Sequence, residues 1–267
     1  MDLLQALVLA IVQGITEFLP VSSSAHLILV PEFLGWPANG LAFDVAVHVG
    51  TLVAVVIFLR RELSRIISGW LYGWLAFKWS QDGLLGWMVV AATVPVGLIG
   101  LLAEEFIEVY LRSALVIAIA TLIFGLLLGW ADRKGSLQTG QLSQITFSHA
   151  VMVGLAQALA LIPGTSRSGI TMTALLALGY ERVAAAKFSF LLAVPTILLP
   201  GLLKTSHLLN NAQTTNWTPI FVGVVASAMV ALLSMHWFIQ LVTRVGMLPF
   251  VIYRVFLALV ILVFLVL

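Results

Sequence analysis

The stretch Gln13-Gly-Ile-Thr-Glu-Phe-Leu-Pro-Val-Ser-Ser-Ser-Ala-His26 places a carboxylate, three serine hydroxyls and an imidazole inside an otherwise strongly apolar chain. Gln13 and Glu17 are four residues apart and share one helix face, and Pro20 then prevents the helix from continuing. A helix break at membrane depth survives only where it is buried in protein or lines a wet cavity, because lipid cannot satisfy its backbone groups. An ionisable residue beside such a break indicates a functional site.

The composition is that of a polytopic membrane protein. Of its 267 residues, 61% are hydrophobic and 9% are charged, whereas about a quarter are charged in a soluble domain. The net charge of +2 is too small to indicate a nucleic-acid partner. The chain has no cysteine, which excludes disulfides, thiolate metal sites and a cysteine nucleophile.

Apolar runs of about 20 residues, the length that spans a bilayer, predict six transmembrane helices. Four shorter apolar runs flank two breaks, and such interrupted pairs are typical of re-entrant hairpins. The aromatic stretch 69–79 indicates an interfacial segment, and the polar stretches 132–148 and 204–217 are expected to be loops. The six long runs are 41–59, 84–103, 113–131, 184–203, 218–240 and 248–267, and the four short ones are 2–19, 25–35, 149–162 and 168–180.

The two halves of the chain carry a weak internal repeat, in which short polar motifs recur in the same order. The matched positions are Pro20 with Pro163 at an offset of 143, and Gln13 with Gln157 and Leu34 with Leu178 at an offset of 144.

Repeat 1 (about 1–131) and repeat 2 (about 149–267) each hold one predicted hairpin followed by three predicted spans. Because three is odd, the second repeat enters the membrane from the opposite face, which predicts an inverted-topology repeat. In such folds the two broken segments meet near the middle of the membrane and build one site. We therefore expect an all-α single membrane domain, 1–267, whose repeats are joined by a cytoplasmic loop over 132–148.

Basic residues near the ends of the spans predict the orientation, because they are enriched in cytoplasmic loops. The side with many bases is expected to be cytoplasmic, so the tip of the first hairpin should face the periplasm or exterior. The basic side holds Arg60, Arg61, Arg65, Lys78, Arg133, Lys134, Arg182, Lys187, Arg244 and Arg254, and the other side holds Arg112 and Lys204.

The second break, Pro163-Gly-Thr-Ser-Arg-Ser-Gly-Ile-Thr171, puts a guanidinium and four hydroxyls at the start of a short helix. Helix N-terminal N–H groups, hydroxyls and an arginine fork are the components of a phosphate site. The alternative is an arginine that extends to the interface while the serines close a helix break. The groups expected to contact the anion are Gly164, Thr165, Ser166, Ser168 and Thr171, with Arg167 as the clamp.

Nearly end to end, the chain resembles the bacterial undecaprenyl-diphosphate phosphatases, also called the bacitracin-resistance protein family. The resemblance rests on residues 13–26 and 163–171, with 188–195 and 249–254 as further landmarks. It implies paired re-entrant segments in the bacterial cytoplasmic (inner) membrane and an external site. The implied reaction removes the terminal phosphate of undecaprenyl diphosphate, which recycles the carrier lipid for peptidoglycan and confers bacitracin resistance.

The first family motif is Glu or Gln, three residues, then Glu, and this chain has the Gln form at Gln13. Any metal site therefore has one anionic ligand fewer than a Glu–Glu pair would give. Glu17 is the candidate ligand for a divalent cation, Mg²⁺ or Ca²⁺, because both prefer hard oxygen ligands. Gln13 and Ser22 are expected to contact the substrate.

Phosphoryl transfer requires a positioned nucleophile and neutralisation of the phosphate charge. Ser23 is the preferred nucleophile, with Glu17 or His26 as the base that takes its proton. Direct attack by water or by His26 remains an alternative. Arg167 is the expected phosphate clamp, and His48, four residues after Asp44, either lines the cavity or forms a packed pair with it.

The competing class is a secondary transporter or a polyprenyl-phosphate flippase, because inverted repeats with broken helices are also a transporter architecture. The grouping of nucleophile, base and arginine favours an enzyme, since a carrier needs only binding groups. The expected partners are the isoprenoid diphosphate lipid, the bilayer and a second copy of the chain in a homodimer, with no nucleic acid.

Overall fold

The computed structural model describes residues 1–37, 40–135, 139–209 and 217–266. Within these ranges the regular structure is helical, with two short 3₁₀ turns at Leu142–Gln144 and Leu159–Leu161. The helices are α1 Leu3–Thr16, α2 Ser23–Leu34, α3 Leu41–Phe58, α4 Arg60–Ala76, α5 Gln81–Tyr110, α6 Ala114–Gly135, α7 Phe147–Ala158, α8 Arg167–Ala177, α9 Arg182–Leu209, α10 Trp217–Val245 and α11 Leu248–Val266.

Six of these helices are long and apolar enough to cross a membrane, which confirms the polytopic all-α class. They coincide with the six long apolar runs of the sequence to within a few residues at most ends. The crossing segments are Leu41–Phe58, Gln81–Ala103, Ala114–Lys134, Arg182–Leu203, Trp217–Val245 and Leu248–Leu265.

The polar stretches between spans differ in part from the predicted loops. The loop prediction is wrong for 132–135 and 204–209, because α6 and α9 continue through these residues. Asp132 stays helical and buried because Arg182 donates two hydrogen bonds to its carboxylate, at 2.6 and 3.0 Å. Residues 136–138 and 210–216 lie outside the described part of the chain.

The two helix breaks, between α1 and α2 and between α7 and α8, share an unusual backbone conformation. Ser22 and Ser166 precede α2 and α8 with φ of 73° and 69°, in a region that non-glycine residues rarely adopt. Each following helix is succeeded by a glycine with positive φ: Gly35 caps α2, and Gly179 lies two residues after the end of α8. Ser22 and Ser166 are 144 residues apart, and so are Gly35 and Gly179. The backbone therefore does not follow the offset of 143 residues that the proline motifs suggested.

Packing brings the two breaks together in the interior. Helix α1 packs against α10 and α7 against α5, while α3 contacts α9 and α6 contacts α11. Phe18, which follows α1, and Phe190 on α9 are fully buried and meet edge to face, with ring centroids 5.4 Å apart. The ends of the short helices are thereby enclosed by the long ones.

Candidate active site

The carboxylate of Glu17 is the centre of a hydrogen-bonded cluster formed by both breaks. It is 7% exposed, and its Oε2 accepts hydrogen bonds from Gln13 Nε2 at 2.9 Å and Ser23 Oγ at 2.7 Å. Its Oε1 accepts from Arg167 Nη2 at 2.7 Å. Arg167 lies 150 residues away in the sequence, so the cluster exists only because the two breaks meet.

The local folding of each break explains why these side chains converge. Ser23 and Arg167 are the first residues of α2 and α8, directly after the two positive-φ serines. Ser166 Oγ accepts from Gly169 N at 3.1 Å and caps α8. The remaining N–H groups and the positive end of the helix dipole favour an anion at this terminus.

Arg167 also presents a donor that no described residue uses. Its Nη1 is buried and has no hydrogen-bond partner among the described residues. An unsatisfied buried guanidinium donor is costly, so it indicates a ligand with acceptor oxygens. Gln13 Oε1 is likewise buried without a partner in the described chain.

Arg254 fixes the two breaks to each other. It is fully buried, and its guanidinium donates to backbone carbonyls of both breaks: Pro20 at 3.4 Å, Gly164 at 2.9 Å and Thr165 at 2.9 Å. It also donates to Thr121 O at 3.1 Å. The assignment of Arg254 to the cytoplasmic end of a span is therefore wrong, because its charge is used in the interior to satisfy freed carbonyls.

A cavity of about 440 Å³ opens beside the cluster, within the size range of small-molecule sites. Its polar wall carries two carboxylates, two guanidiniums, three serines of the first break and His48, and its apolar wall comes from α2, α3 and α9. Among the lining residues are Glu17, Ser22, Ser23, Ser24, Leu27, Asp44, Val45, His48, Arg112, Ser166, Arg167, Ile197 and Gly201.

His48 faces the cluster from α3. Its Nε2 lies 3.9 Å from Glu17 Oε2, and its Nδ1 is 2.7 Å from the carbonyl oxygen of Asp44. The sequence did not decide whether His48 lines the cavity or forms a packed pair with Asp44. The only sequence feature that pointed to His48 was its position four residues after Asp44, on the same face of an apolar span. Arg112 was noted only for its charge, although it lines the same cavity.

His26 is held away from the pocket lining. Its Nδ1 contacts Ser22 O at 2.7 Å, and its Nε2 contacts the hydroxyl of Tyr253. Since a carbonyl only accepts, Nδ1 carries the hydrogen and Nε2 accepts from Tyr253. The structure thus does not bring His26 together with Glu17 and Ser23.

Of the other residues of the second break that were predicted to contact the anion, one lines the cavity and the rest form hydrogen bonds within the protein. Ser166 lines the cavity, whereas Ser168 Oγ donates to Leu19 O at 2.8 Å and Thr171 Oγ1 donates to Ser189 Oγ at 2.8 Å. The carbonyls of Gly164 and Thr165 are bound by Arg254. Ser168 and Thr171 therefore hold α8 in place and do not reach the cavity.

Comparison with known proteins gives a consistent assignment. The family model described as bacitracin resistance protein BacA matches residues 6–260. An undecaprenyl-diphosphatase of Teredinibacter turnerae is 54% identical over 257 residues, covering 96% of this chain and 97% of the relative. One from Saccharophagus degradans is 55% identical and covers 96% of each chain. Undecaprenyl-diphosphatase 1 of Pseudoalteromonas translucida is 51% identical over 265 residues, covering 99% of each.

Proposed function

The chain belongs to the bacitracin resistance protein BacA family, and from this premise we propose that it hydrolyses undecaprenyl diphosphate to undecaprenyl phosphate and inorganic phosphate. The reaction recycles the carrier lipid for peptidoglycan synthesis and confers resistance to bacitracin. The observation that carries the proposal is the buried Nη1 of Arg167, which has no partner in the described part of the chain and lies beside the Glu17–Ser23 pair. These groups together supply a phosphate-binding donor, a hydroxyl and a base.

Ser23 is the nucleophile of the proposed mechanism, and Glu17 is its base. The hydroxyl already donates to Glu17 Oε2 at 2.7 Å, within the range required of a general base. Attack forms the bond from Ser23 Oγ to the terminal phosphorus and breaks the phosphorus bond to the bridging oxygen. The serine proton passes to Glu17 and then to the departing undecaprenyl phosphate.

Arg167 holds the transferring phosphoryl group. One Nη is bound to Glu17, and the other is available for a phosphate oxygen. The planar guanidinium fits tetrahedral oxyanions better than an ammonium, and the N-terminus of α8 adds its dipole. Charge on the equatorial oxygens is thereby neutralised as the phosphoryl group moves.

His26 positions the first turn of α2 in this mechanism. Its contacts with Ser22 O and Tyr253 link the residue before the nucleophile to α11. Because both ring nitrogens are engaged, Glu17 is the better base for Ser23. Water attack without a covalent intermediate is the alternative, and the stereochemistry of the reaction distinguishes the two.

A divalent cation, Mg²⁺ or Ca²⁺, fits the donors of the site as a cofactor. Glu17 and Asp44 line the cavity, and Gln13 adds a buried carbonyl oxygen. The described residues contain no group of three His, Cys, Asp or Glu side chains that could hold a metal. Magnesium, however, commonly binds through one or two carboxylates, substrate phosphate and water. Such an ion would neutralise phosphate charge.

The inverted-topology repeat with two re-entrant hairpins is the proposed architecture. It is supported by the equal spacing of Ser22 from Ser166 and Gly35 from Gly179. In the proposed repeat, α1 is the counterpart of α7, and α5 is the counterpart of α10. A two-fold relation then requires the contact of α1 with α10 to be matched by a contact of α7 with α5, and both contacts are present. The backbone spacing supports an offset of 144 residues between the proposed repeats.

The proposed site faces the periplasm or exterior of the inner membrane. Arg112 lines its cavity, while a second polar cleft is lined by Arg65 and Lys187, which belong to the predicted cytoplasmic side. On α9, Lys187 and Gly201 mark the two clefts, and at the rise of an α-helix they are about 21 Å apart. This separation along one span supports different membrane depths for the two clefts.

Phosphate release by purified protein in detergent tests the proposed function. The substrate is undecaprenyl diphosphate, assayed with and without a chelator. Steady release of inorganic phosphate supports the phosphatase, and loss of release with chelator supports the cation. A flippase liberates no phosphate. If no inorganic phosphate were released with or without the chelator, the proposal would be overturned in favour of transport.

Single cysteines test the orientation, because the chain has none of its own. Asn39 and Ser136, natural labelling positions in segments expected outside and inside the cell, lie outside the described residues. Ser113 and Ser143 are exposed replacements on opposite predicted sides. An impermeant thiol reagent applied to spheroplasts should label Ser113→Cys at once and Ser143→Cys only after lysis. The reverse pattern would contradict the external site.

A further inference from the structure

His48 faces Glu17 with a hydrogen-bond acceptor. Its Nδ1 lies 2.7 Å from the backbone carbonyl of Asp44, which can only accept, so Nδ1 carries the hydrogen. In its neutral form the imidazole presents the lone pair of Nε2 to Glu17 Oε2, 3.9 Å away. Two acceptors cannot bond to each other, so a molecule with two hydrogens is the natural occupant between them.

The acceptor position on Glu17 becomes available only during turnover. In the resting structure Oε2 already accepts from Gln13 and Ser23. Once Ser23 carries a phosphoryl group, its hydroxyl hydrogen is gone and one lone pair of Oε2 is released. Linear bonds of typical length from one water would separate its two acceptors by about 4.4 Å. The observed 3.9 Å needs only slightly bent bonds.

We propose that His48 Nε2 and Glu17 Oε2 together hold the water that hydrolyses phosphorylated Ser23. This rests on the proposed function, specifically on Ser23 as nucleophile. The water oxygen bonds to phosphorus, the bond from phosphorus to Ser23 Oγ breaks, and the water proton passes through Glu17 to Ser23. His48 accepts a hydrogen bond and keeps its protonation state throughout.

The position of the water matches the order of events. In-line displacement requires the water to attack opposite Ser23 Oγ, where the departing lipid phosphate has left space. His48, on α3, lines the cavity together with Ser23 and Arg167. His48 is therefore assigned to the second half of the reaction, whereas Arg167 and Glu17 serve both halves.

Rapid quenching separates the two half-reactions. Undecaprenyl diphosphate labelled with ³²P in the terminal phosphate is mixed with His48→Leu, His48→Gln and wild-type protein at pH 8. Phosphoserine survives acid, so labelled protein and released phosphate can be counted together. His236→Leu is the matched control, because His236 also contacts the carbonyl four residues earlier, at 2.7 Å, and is exposed.

For His48→Leu we expect about one labelled serine per protein at nearly the wild-type initial rate, followed by phosphate release slowed at least about 30-fold. His48→Gln, whose amide oxygen can accept, should recover to within about fivefold of wild type. His236→Leu should match wild type. A full initial burst also shows that the His48 variants are folded.

Two results would overturn the assignment. Phosphate release by His48→Leu at the wild-type rate would remove His48 from the reaction. An equal loss of burst and steady-state rates would place it in the first step or in folding. Failure of the proposed function is distinct, because the wild-type protein would then release no phosphate.

Discussion

The two helix breaks have nearly the same backbone and different chemistry. Ser22 and Ser166 share a positive φ, and each hydroxyl lies 3.2 Å from that of the serine two residues later. At the 144-residue spacing, Ser23 of the first break corresponds to Arg167 of the second. In the proposed mechanism the first break thus supplies the reacting hydroxyl and the second supplies the phosphate clamp.

The position of Glu17 shows the same division, because its counterpart at this spacing is Leu161. A carboxylate at position 161 would add negative charge next to the break that carries Arg167, and an arginine at position 23 would remove the proposed nucleophile. The matching backbone supplies two helix N-termini, and under the proposed repeat the differences at two positions make them complementary halves of one site. The predictions below test this complementarity.

Removal of the nucleophile should have the largest effect. Ser23→Ala is expected to lower kcat at least about 1,000-fold, because a covalent step is lost while Arg167 still binds phosphate. Phosphate release from undecaprenyl diphosphate measures kcat. Binding to the inactive variant is measured by competition, in which added variant protein withdraws undecaprenyl diphosphate from the wild-type protein. The neighbouring Ser24→Ala should stay within about fivefold of wild type; equal losses in both variants would point to helix α2 rather than Ser23.

Loss of the clamp should rank second. Arg167→Lys keeps the charge but cannot contact Glu17 and a phosphate oxygen at once with a planar fork, so we expect a loss of about 100-fold in kcat/KM. The exposed Arg244→Lys is the control. Turnover of Arg167→Lys within about threefold of wild type, under about 1 kcal/mol, would remove the clamp from the mechanism.

Separation of the two breaks should cost both stability and activity. Arg254→Lys cannot bind carbonyls of both breaks simultaneously, and a poorly paired buried charge costs about 3 kcal/mol. We expect a lower Tm in detergent and a loss of kcat of about 30-fold. An unchanged Tm with unchanged activity would show that Pro20, Gly164 and Thr165 are held by other contacts.

The two buried glutamines should respond differently to the same change. Gln13→Glu adds a carboxylate beside Glu17, where a cation can compensate, so activity should stay within about threefold and depend more steeply on Mg²⁺. Gln157→Glu loses the donor that contacts Ala92 O at 3.3 Å and brings a carboxylate near that carbonyl, so it should lower Tm. Magnesium titration and thermal unfolding of both variants make the comparison. Equal behaviour would mean that the breaks are not chemically distinct.

Much of the fold could be predicted from the sequence because it depends on local patterns. Apolar runs located the six spans, and Pro20 and Pro163 located the breaks. Glu17, Ser23 and Arg167 were identified because polar side chains are conspicuous in lipid-like sequence. The contact between Glu17 and Arg167 required only that the breaks meet.

The remaining parts of the site depend on contacts that local patterns do not encode. His26 was a candidate base by proximity in sequence, but its ring contacts Ser22 O and the hydroxyl of Tyr253, which is 227 residues away. Arg254 was counted as a span-end charge because nothing in α11 shows that carbonyls of two distant turns surround it. His48 required the packing of α3 against the cluster.

The stereochemical course at phosphorus tests the central claim most directly. Undecaprenyl diphosphate with a chiral, ¹⁸O-labelled terminal thiophosphate is hydrolysed in H₂¹⁷O, and the configuration of the released thiophosphate is determined. Transfer first to Ser23 and then to water involves two in-line displacements, each with inversion. The account predicts overall retention. Overall inversion would mean a single attack by water, and would contradict Ser23 as nucleophile.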